Sequence, residues 1–479
     1  MMKVRAHKTK IICTIGPASR SPGILEKMIM EGMDIARINF SHGDPEGHRE
    51  IIANVRAAAE RTGRQVAIMG DLPGPKIRIG RLEKEPMELD AEDMFILTVG
   101  ESADGIGRIR VNFDPLPQVV KKGDILFLDD GLIQVEVVTV TALDVGCRVM
   151  VGGELRSHKG LNLPGISLGI KAFTREDREW LQFAREQKLD AISQSFVESA
   201  EDIEEVREAA GSMDYDPFII AKIERAQALS NIDAVLRTAD GIMIARGDLG
   251  VEVPIEQIAG IQKDLIHRAN QTGKPVITAT QMLESMTGNR RPTRAEVTDV
   301  ANAILDGTDC VMLSGESAIG RYPVDAVRML ARIAVVVEPK LSRTAARMEI
   351  VEDKHDLCLR DFVAWNAGVT LQHLSPALVI VPTRSGATAR SIVRFRSPVW
   401  ILAVSSRMST CRNLLFSYGV HPKHEPGHPE NWKEYARQQL EEQGFEADIV
   451  LLTEGPSKKH PDANHRMEMI DLRLPPGAV

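Results

Sequence analysis

The chain has 479 residues, of which 43% are hydrophobic and 26% charged, and its formal net charge is -8. This length exceeds what one hydrophobic core usually supports, so we expect more than one domain. The negative charge excludes a general attraction to nucleic acid or anionic membranes, and an aromatic content of 4% leaves little material for stacking on bases.

The cysteines predict a reducing compartment. All five occur singly, without a CxxC motif or the spacing of a metal site, as Cys13, Cys147, Cys310, Cys358 and Cys411. The amino terminus lacks an apolar segment of signal-peptide length, and no apolar run approaches the length of a membrane span. We therefore expect a cytoplasmic protein that binds neither nucleic acid nor membrane.

Strand and helix patterns alternate from the start of the chain. Strand-like runs at 10–17, 35–41 and 65–71 are separated by helical patterns at 23–33 and 45–61. From 72 to 167 the pattern changes to short β-branched runs and turns, which predicts an inserted small β-barrel domain.

The alternation then resumes and completes eight strand–helix units. Further strands are predicted at 191–196, 218–224, 241–245, 275–280 and 309–313. The helices are predicted at 174–188, 198–213, 226–238, 255–271, 294–305 and 323–337. Eight such units favour an α/β fold of the closed (β/α)8 TIM-barrel type over an open sheet.

The last part of the chain predicts a separate unit. A polar stretch from Leu341 to Asp356 is typical of a hinge or linker helix. Strands at 377–381, 399–404 and 448–452, with a helical pattern between the first two, predict a C-terminal α/β domain. We expect a barrel of residues 1–71 and 168–340, an insertion of 72–167, and a C-terminal regulatory domain of 341–479.

Polar side chains mark the ends of most predicted barrel strands. Lys222 and Glu224 lie two residues apart, hence on one face of their strand, and Asp248 follows the next strand. The Lys222–Glu224 pair alone is better explained as a structural ion pair. Six strands nevertheless bring such residues to one rim, which favours a functional site. The rim residues are Arg37, Asn39, Ser41, Asp71, Lys222, Glu224, Asp248, Thr280 and Glu316.

The rim chemistry suits phosphoryl transfer. Two carboxylates, Glu224 and Asp248, with cations nearby fit Mg²⁺ or Mn²⁺, which keep open positions for phosphate oxygens. Phosphoryl transfer depends mainly on neutralising charge around the moving group. Arg37, Lys222, Lys76 and Arg78 would supply that positive charge, although a solvated loop also explains Lys76 and Arg78.

Thr280 follows a predicted strand, where threonine is often only a helix cap. The functional alternative is a hydroxyl that passes a proton to a carbon beside a carbonyl group. Ser314 and Glu316 could extend such a relay.

The chain resembles pyruvate kinase, of the bacterial, potassium-independent subgroup, in the segments TKIICTIGPA (9–18), RINFSHG (37–43), ARGDLG (245–250) and TATQMLESM (278–286). The resemblance covers nearly the whole chain. It implies Mg²⁺-dependent transfer of a phosphoryl group from phosphoenolpyruvate to ADP, giving pyruvate and ATP in the last step of glycolysis. It also implies a homotetramer.

The resemblance implies a role for each matching residue. Glu224 and Asp248 would be the metal ligands. The catalytic residues would be Lys222, which stabilises the transferring phosphoryl group, Thr280 and Arg37. Phosphoenolpyruvate would be bound by Arg37, Lys222, Gly247, Asp248 and Thr280. The nucleotide or its phosphates would be bound by Thr14, Asn39, His42, Arg78 and Lys159.

One departure from the family pattern changes a cofactor expectation. Potassium-dependent members bind K⁺ with residues equivalent to Asn39, Ser41 and Asp71, and have Thr and Glu where this chain has Leu72 and Lys76. The ammonium group of Lys76 can occupy the space of that cation and supply the same charge. The resemblance therefore implies activity without K⁺.

The C-terminal domain offers a candidate effector site between a strand and a helix. Hydroxyls and free amides at a helix start can bind phosphate, and an ordinary cap explains them equally well. Similar segments in the family bind phosphorylated effectors, so a sugar phosphate or nucleotide is expected here. The candidate residues are Thr383, Arg384, Ser385, Gly386 and Thr388, with Lys458, Lys459 and His460 as a second wall.

Two other functions fit part of the pattern. One is a lyase or aldolase that forms an enolate with the same metal, or uses Lys222 as a Schiff base. The other is a regulatory homologue that binds metabolites without catalysis, although it would not need the lysine, both acids and the threonine together.

Overall fold

The computed structural model describes residues 4–100, 107–129, 131–166, 168–341, 359–374, 376–427, 429–445, 448–455 and 465–473. The predicted linker beyond Leu341 lies outside these residues, as do Lys458, Lys459 and His460. No helix in the described ranges is long and apolar enough to cross a bilayer.

The first three strands of the barrel lie close to their predicted positions. The chain begins with β1 (Lys10–Thr14), α1 (Pro22–Glu31), β2 (Met33–Asn39), α2 (Pro45–Thr62) and β3 (Ala67–Leu72). Helix α2 starts where the Asp44 carboxylate accepts the Gly47 N–H, and it ends at Gly63, whose φ of 63° is left-handed. An N-cap aspartate and a left-handed glycine commonly mark helix ends, so the local sequence defines both ends of α2.

The inserted segment forms a β domain with its own core. Its elements are β4 (Met87–Leu89), β5 (Met94–Thr98), β6 (Arg108–Arg110), α3 (Leu116–Val119), β7 (Ile125–Leu128), β8 (Ile133–Val140), β9 (Asp144–Val151), β10 (Gly153–Leu155) and β11 (Leu161–Asn162). Strands β11, β7, β8, β9, β5 and β6 form one sheet in that order, and β10 pairs with β4. Arg78 bridges to Gly160 beside β11 and Ile79 to Val111 beside β6, so residues 78–79 join the two edges of the sheet.

The remaining barrel strands alternate with helices as expected. They comprise α4 (Arg175–Glu186), β12 (Ala191–Gln194), α5 (Ala200–Ser212), β13 (Phe218–Ile223), α6 (Ala226–Ser230), α7 (Ile232–Thr238), β14 (Gly241–Ala245), α8 (Arg246–Glu252), α9 (Ile258–Gln271), β15 (Val276–Ala279), α10 (Arg294–Asp306), β16 (Cys310–Leu313), α11 (Gly315–Ala318) and α12 (Pro323–Val337). The barrel closes in the order β1, β16, β15, β14, β13, β12, β3, β2, which confirms the predicted eight-stranded architecture. The helix predicted at 226–238 is divided at Asn231, whose amide donates to the Glu198 carbonyl at 2.9 Å.

The described residues of the C-terminal domain form a five-stranded α/β unit, with two more strands than predicted. Its elements are α13 (Leu359–His373), β17 (Leu378–Pro382), α14 (Ala387–Val393), β18 (Trp400–Ser405), α15 (Met408–Asn413), β19 (Val420–His424), α16 (Trp432–Gln443), β20 (Ile449–Glu454) and β21 (Arg466–Asp471). The missed strands, β19 and β21, are the two edges of the sheet. Edge strands are often polar or contain proline, so they lack the apolar run that marks a central strand.

The C-terminal domain closes the amino-terminal end of the barrel. The Phe416 ring stacks on Phe218 at a centroid distance of 5.4 Å and packs with Ile12 and Met69. Lys10 Nζ donates to the Val420 carbonyl at 2.7 Å. The carboxyl ends of the strands therefore form the free rim.

A buried ion pair anchors this contact and yields a stability prediction. Arg396 donates to both carboxylate oxygens of Asp309 at 2.8 and 2.9 Å, and both side chains are 2% exposed. Arg396→Met leaves that carboxylate buried without its counter-ion, so the free energy of unfolding should fall by about 3 kcal/mol in urea denaturation. Arg473→Met, which removes the exposed pair with Asp471, should leave the midpoint unchanged. Equal midpoint shifts would contradict this prediction.

Candidate active site

Lys222 lies at the centre of the polar cluster on the rim. Its Nζ is 2.8 Å from Glu224 Oε1 and 3.4 Å from Asp71 Oδ1, and it donates to Ser195 Oγ at 2.6 Å. Burial would lower the pKa of this ammonium group, but the Asp71 and Glu224 carboxylates outweigh it and the pKa is raised. Lys222 is therefore a fixed positive charge on the rim.

Arg37 and Asp71 form the second part of the cluster. Arg37 Nε donates to Asp71 Oδ2 at 3.0 Å, a second guanidinium nitrogen also contacts this oxygen, and Nη1 donates to Thr14 Oγ1 at 2.8 Å. Burial would raise the pKa of Asp71, but Arg37 and Lys222 lower it. Asp71 thus remains ionised and holds both cations beside the rim.

Glu224 and Asp248 provide the negative charge. Glu224 is 2% exposed and accepts the Phe196 N–H at 2.7 Å. Burial raises its pKa, Lys222 opposes that shift, and the nearby charge of Asp248 adds to it. Asp248 is half-buried, and its carboxylate makes no hydrogen bond or ion pair with any described residue. Two carboxylates that repel each other, one of them without a partner, fit a hard divalent cation.

The candidate metal donors on the rim are the two carboxylates of Glu224 and Asp248. No group of three or more His, Cys, Asp or Glu side chains that could hold a metal occurs in the described parts of the chain. This arrangement suits Mg²⁺ or Mn²⁺, because these ions take further oxygens from water and substrate phosphate.

Thr280 has an unusual backbone conformation at the end of β15. Its φ is 68° and that of Gln281 is 52°, in the left-handed region that β-branched residues rarely adopt. Its Oγ1 accepts the Gly247 N–H at 2.8 Å and donates to the Ala279 carbonyl at 2.6 Å. Conformations of this kind cluster at functional sites, and nothing in a sequence pattern marks them.

The predicted nucleotide-binding residues are partly gathered. Burial lowers the pKa of His42, and the positive charges of Arg78, Lys76 and Arg37 lower it further, so these cations lie near one another. Lys159 Nζ instead pairs with Asp129 of the inserted domain at 2.7 Å. Thr14 is bound to Arg37 and to the Leu313 carbonyl.

Of the residues expected at a monovalent-cation site, Asp71 and Asn39 are bonded within the protein, whereas the Lys76 ammonium is not bonded to any described residue. Asp71 is taken up by Arg37, Lys222 and Ser193. The Asn39 side-chain oxygen accepts the Ser41 N–H at 3.2 Å. The Lys76 ammonium has no hydrogen bond or ion pair with any residue that the structure describes, so it is available at the mouth of the site.

Sequence reasoning missed two serines, Ser193 in β12 and Ser195 directly after that strand. Ser193 Oγ donates to Asp71 Oδ1 at 2.6 Å, and Ser195 Oγ links Lys222 to the Leu72 carbonyl. Their i, i+2 spacing is a signal that could have placed both on the inner face. By contrast, Glu316 is fully buried and accepts the N–H groups of Leu283 and Ser314, so these contacts give the relay interpretation no support.

The candidate effector loop is ordered by its own polar groups. Thr383 Oγ1 accepts the Gly386 N–H at 2.9 Å, and Ser385 Oγ accepts the Ala387 N–H at 3.4 Å. Gly386, with φ of 83°, precedes α14, and the Arg384 carbonyl accepts Thr410 Oγ1. Two of the predicted hydroxyls thus accept backbone N–H groups at the start of α14. Thr388 lies in the first turn of this helix.

The fold and the rim are those of a (β/α)8-barrel enzyme, in which charged residues gather at the carboxyl ends of the parallel strands. Comparison with known proteins identifies the family. The model for "Pyruvate kinase, barrel domain" matches residues 6–327, and that for "Pyruvate kinase, alpha/beta domain" matches residues 361–466. The chain belongs to the pyruvate kinase family and is a phosphotransferase.

Individual relatives agree with this assignment. A pyruvate kinase of Thermococcus litoralis is 48% identical over 424 residues, covering 88% of this chain and 89% of the relative. One of Geobacillus stearothermophilus is 44% identical over 423 residues, covering 88% of this chain and 72% of the relative. The crystal structure of a pyruvate kinase from Cryptosporidium parvum superposes with a TM-score of 0.91 at 35% identity, covering 98% of this chain and 96% of that one.

Proposed function

We propose that this chain transfers the phosphoryl group of phosphoenolpyruvate to ADP with Mg²⁺ or Mn²⁺, as the last step of glycolysis in the cytoplasm. The observation that carries the proposal is the permanently charged Lys222 beside the mutually repelling carboxylates Glu224 and Asp248. Fixed charges of both signs at one rim are what phosphoryl transfer requires.

The acidic rim residues would bind the metal, and the basic ones would bind the phosphoryl group. Glu224 and Asp248 would hold the divalent ion, which when bound neutralises phosphate oxygens. Lys222, fixed by Asp71, Glu224 and Ser195, would stabilise negative charge on the moving phosphoryl group without reorganising. Arg37, held by Asp71, would bind the phosphate of the substrate.

Protonation of the enolate would complete the reaction. Gly247 and Asp248 begin α8 beside Thr280, so the substrate would lie between these residues and Lys222. The Thr280 hydroxyl would deliver a proton, directly or through water, to the enolate carbon. Thr14, Asn39, His42 and Arg78, with Lys159 from the inserted domain, would bind the nucleotide phosphates.

The charge state of Lys222 argues against the aldolase alternative. A Schiff base forms from a neutral amine, and enzymes that use one lower the pKa of the lysine. The neighbouring carboxylates raise it here. Borohydride trapping with a carbonyl substrate should therefore leave Lys222 unmodified.

The direct test is a coupled assay for pyruvate release from phosphoenolpyruvate and ADP. We expect turnover that requires both substrates and a divalent metal. Pyruvate release independent of ADP would contradict the proposal, as would the absence of turnover in folded protein.

We also propose that the enzyme needs no K⁺, because the free Lys76 ammonium would replace that ion. Its rate in K⁺-free buffer should remain within about twofold of the rate with K⁺. The double variant Leu72→Thr, Lys76→Glu restores the residue types of the potassium-dependent pattern and should become K⁺-dependent. A large loss in the unchanged protein that K⁺ restores would refute this prediction.

We propose further that the loop containing Thr383, Arg384, Ser385, Gly386 and Thr388 binds a phosphorylated effector, in a homotetramer. We also propose the domain limits given above. The barrel, the insertion and the C-terminal segment each have a hydrophobic core, and Leu415 and Phe416 join the C-terminal segment to the barrel. Titration with sugar phosphates and nucleotides should shift the dependence of rate on phosphoenolpyruvate. No shift with any of these compounds would count against the effector site.

A further inference from the structure

Arg246 contacts the backbone of the loop that carries Thr280. It follows β14, and its guanidinium donates to the Thr280 carbonyl at 2.8 Å, to Ala279 at 3.4 Å and to Gln281 at 3.5 Å. One side chain thus bonds three consecutive carbonyls. Two of these belong to the residues with left-handed φ, Thr280 and Gln281.

The guanidinium of Arg246 is itself held in place. Nη1 donates to Asp299 Oδ1 at 2.7 Å and to Gln262 Oε1 at 3.2 Å, and Nη2 lies 2.9 Å from Met282 Sδ. The side chain is only 10% exposed. A planar guanidinium bonded in several fixed directions imposes a geometry that a flexible ammonium group cannot reproduce.

The next residue completes the contact. Gly247 N–H donates to Thr280 Oγ1 at 2.8 Å, so residues 246 and 247 together hold both the carbonyl and the hydroxyl of Thr280. A β-branched residue keeps a left-handed conformation only where its surroundings impose it. Among the described residues, Arg246 is the charged residue whose side chain bonds to the backbone of residues 279–281.

We propose that Arg246 is a positioning residue that holds Thr280 in its left-handed conformation and thereby fixes the direction of its hydroxyl. The proposal rests on the proposed role of Thr280 in delivering a proton to the enolate. Arg246 acts through the loop backbone. Its removal therefore slows protonation and leaves the binding of phosphoenolpyruvate almost unchanged.

Steady-state kinetics in H₂O and D₂O test the proposal. Arg246→Met should lower kcat about 100-fold, the scale of a misplaced catalytic group, and KM for phosphoenolpyruvate should stay within about twofold. The solvent isotope effect on kcat should rise, because protonation becomes rate-limiting. Arg246→Lys keeps the positive charge but loses the planar guanidinium group, so it should change kcat and the isotope effect in the same directions as Arg246→Met. It replaces the Met variant in this test if that variant does not fold.

Arg5→Met is the matched control. Arg5 is 11% exposed, pairs with Asp34 at 3.0 Å and donates to the carbonyls of Ile29 and Met33, before β1 at the other end of the barrel. Its loss should lower the melting temperature without changing the isotope effect. A change in isotope effect as large as that of the Arg246 variants would overturn the proposal.

A double-mutant comparison separates this inference from the proposed function. Thr280→Ala should lower kcat, and Arg246→Met or Arg246→Lys should cause no further loss in that background. If Thr280→Ala leaves kcat unchanged, the proposed role of Thr280 is wrong. Two results would show that the positioning role is wrong while the proposed function stands. In the first, Thr280→Ala lowers kcat but the Arg246 variants keep the original kcat. In the second, the losses of the two single variants multiply in the double variant.

Discussion

Lys222→Met is expected to lower kcat by about 10³-fold, because it removes the positive charge that we propose stabilises the moving phosphoryl group. The neighbouring carboxylates keep this lysine protonated at neutral pH, so the whole population of enzyme carries that charge. The loss should appear in kcat more than in KM, since the interaction strengthens as charge develops on the phosphoryl oxygens. The coupled pyruvate assay measures both quantities.

Lys10→Met controls for the loss of a buried lysine. Lys10 is 4% exposed, and its Nζ donates to the Val420 carbonyl at the opposite end of the barrel. This variant should lose stability but keep kcat at temperatures where it is folded. A loss of less than about tenfold for Lys222→Met would show that the lysine is a structural ion-pair partner only.

Glu224→Gln should weaken divalent-metal binding by at least about 100-fold. The substitution keeps the size of the side chain and removes one of the two proposed anionic ligands, while the Lys222 ammonium remains beside the site and repels the cation. Titration with Mn²⁺, followed by the electron paramagnetic resonance signal of the free ion, measures this affinity without relying on turnover.

Glu338→Gln is the matched control for the metal titration. Glu338 is also buried, and it accepts the N–H groups of Lys8 and Thr9 far from the rim. The Glu338→Gln substitution should leave Mn²⁺ affinity unchanged. Equal affinities for the Glu224→Gln and Glu338→Gln variants would contradict the assignment of Glu224 as a ligand.

Local periodicity predicted much of this architecture. The eight barrel strands are apolar runs separated by helical patterns, and Pro323–Val337 matches its predicted helix at both ends. Alternation in β13 also placed Lys222 and Glu224 on one face, because that relation needs only two neighbouring positions. The edge strands β19 and β21 were missed, since polar residues or proline interrupt their apolar residues and leave no continuous apolar run.

The parts of the site that the sequence did not predict depend on long-range contacts. The two ion pairs of Asp71 join β3 to β2 and β13, and no local pattern specifies such pairings. The left-handed conformation of Thr280 depends on Arg246 and Gly247, which lie more than 30 positions earlier in the chain. Residues of ordinary propensity took these conformations because tertiary contacts imposed them.

The most direct test of a shared metal site is anomalous diffraction at the manganese edge from crystals grown with Mn²⁺ and phosphoenolpyruvate. We expect one peak on the rim within about 2.5 Å of carboxylate oxygens from both Glu224 and Asp248. A peak bound by only one of these residues, or a site elsewhere in the barrel, would contradict the account.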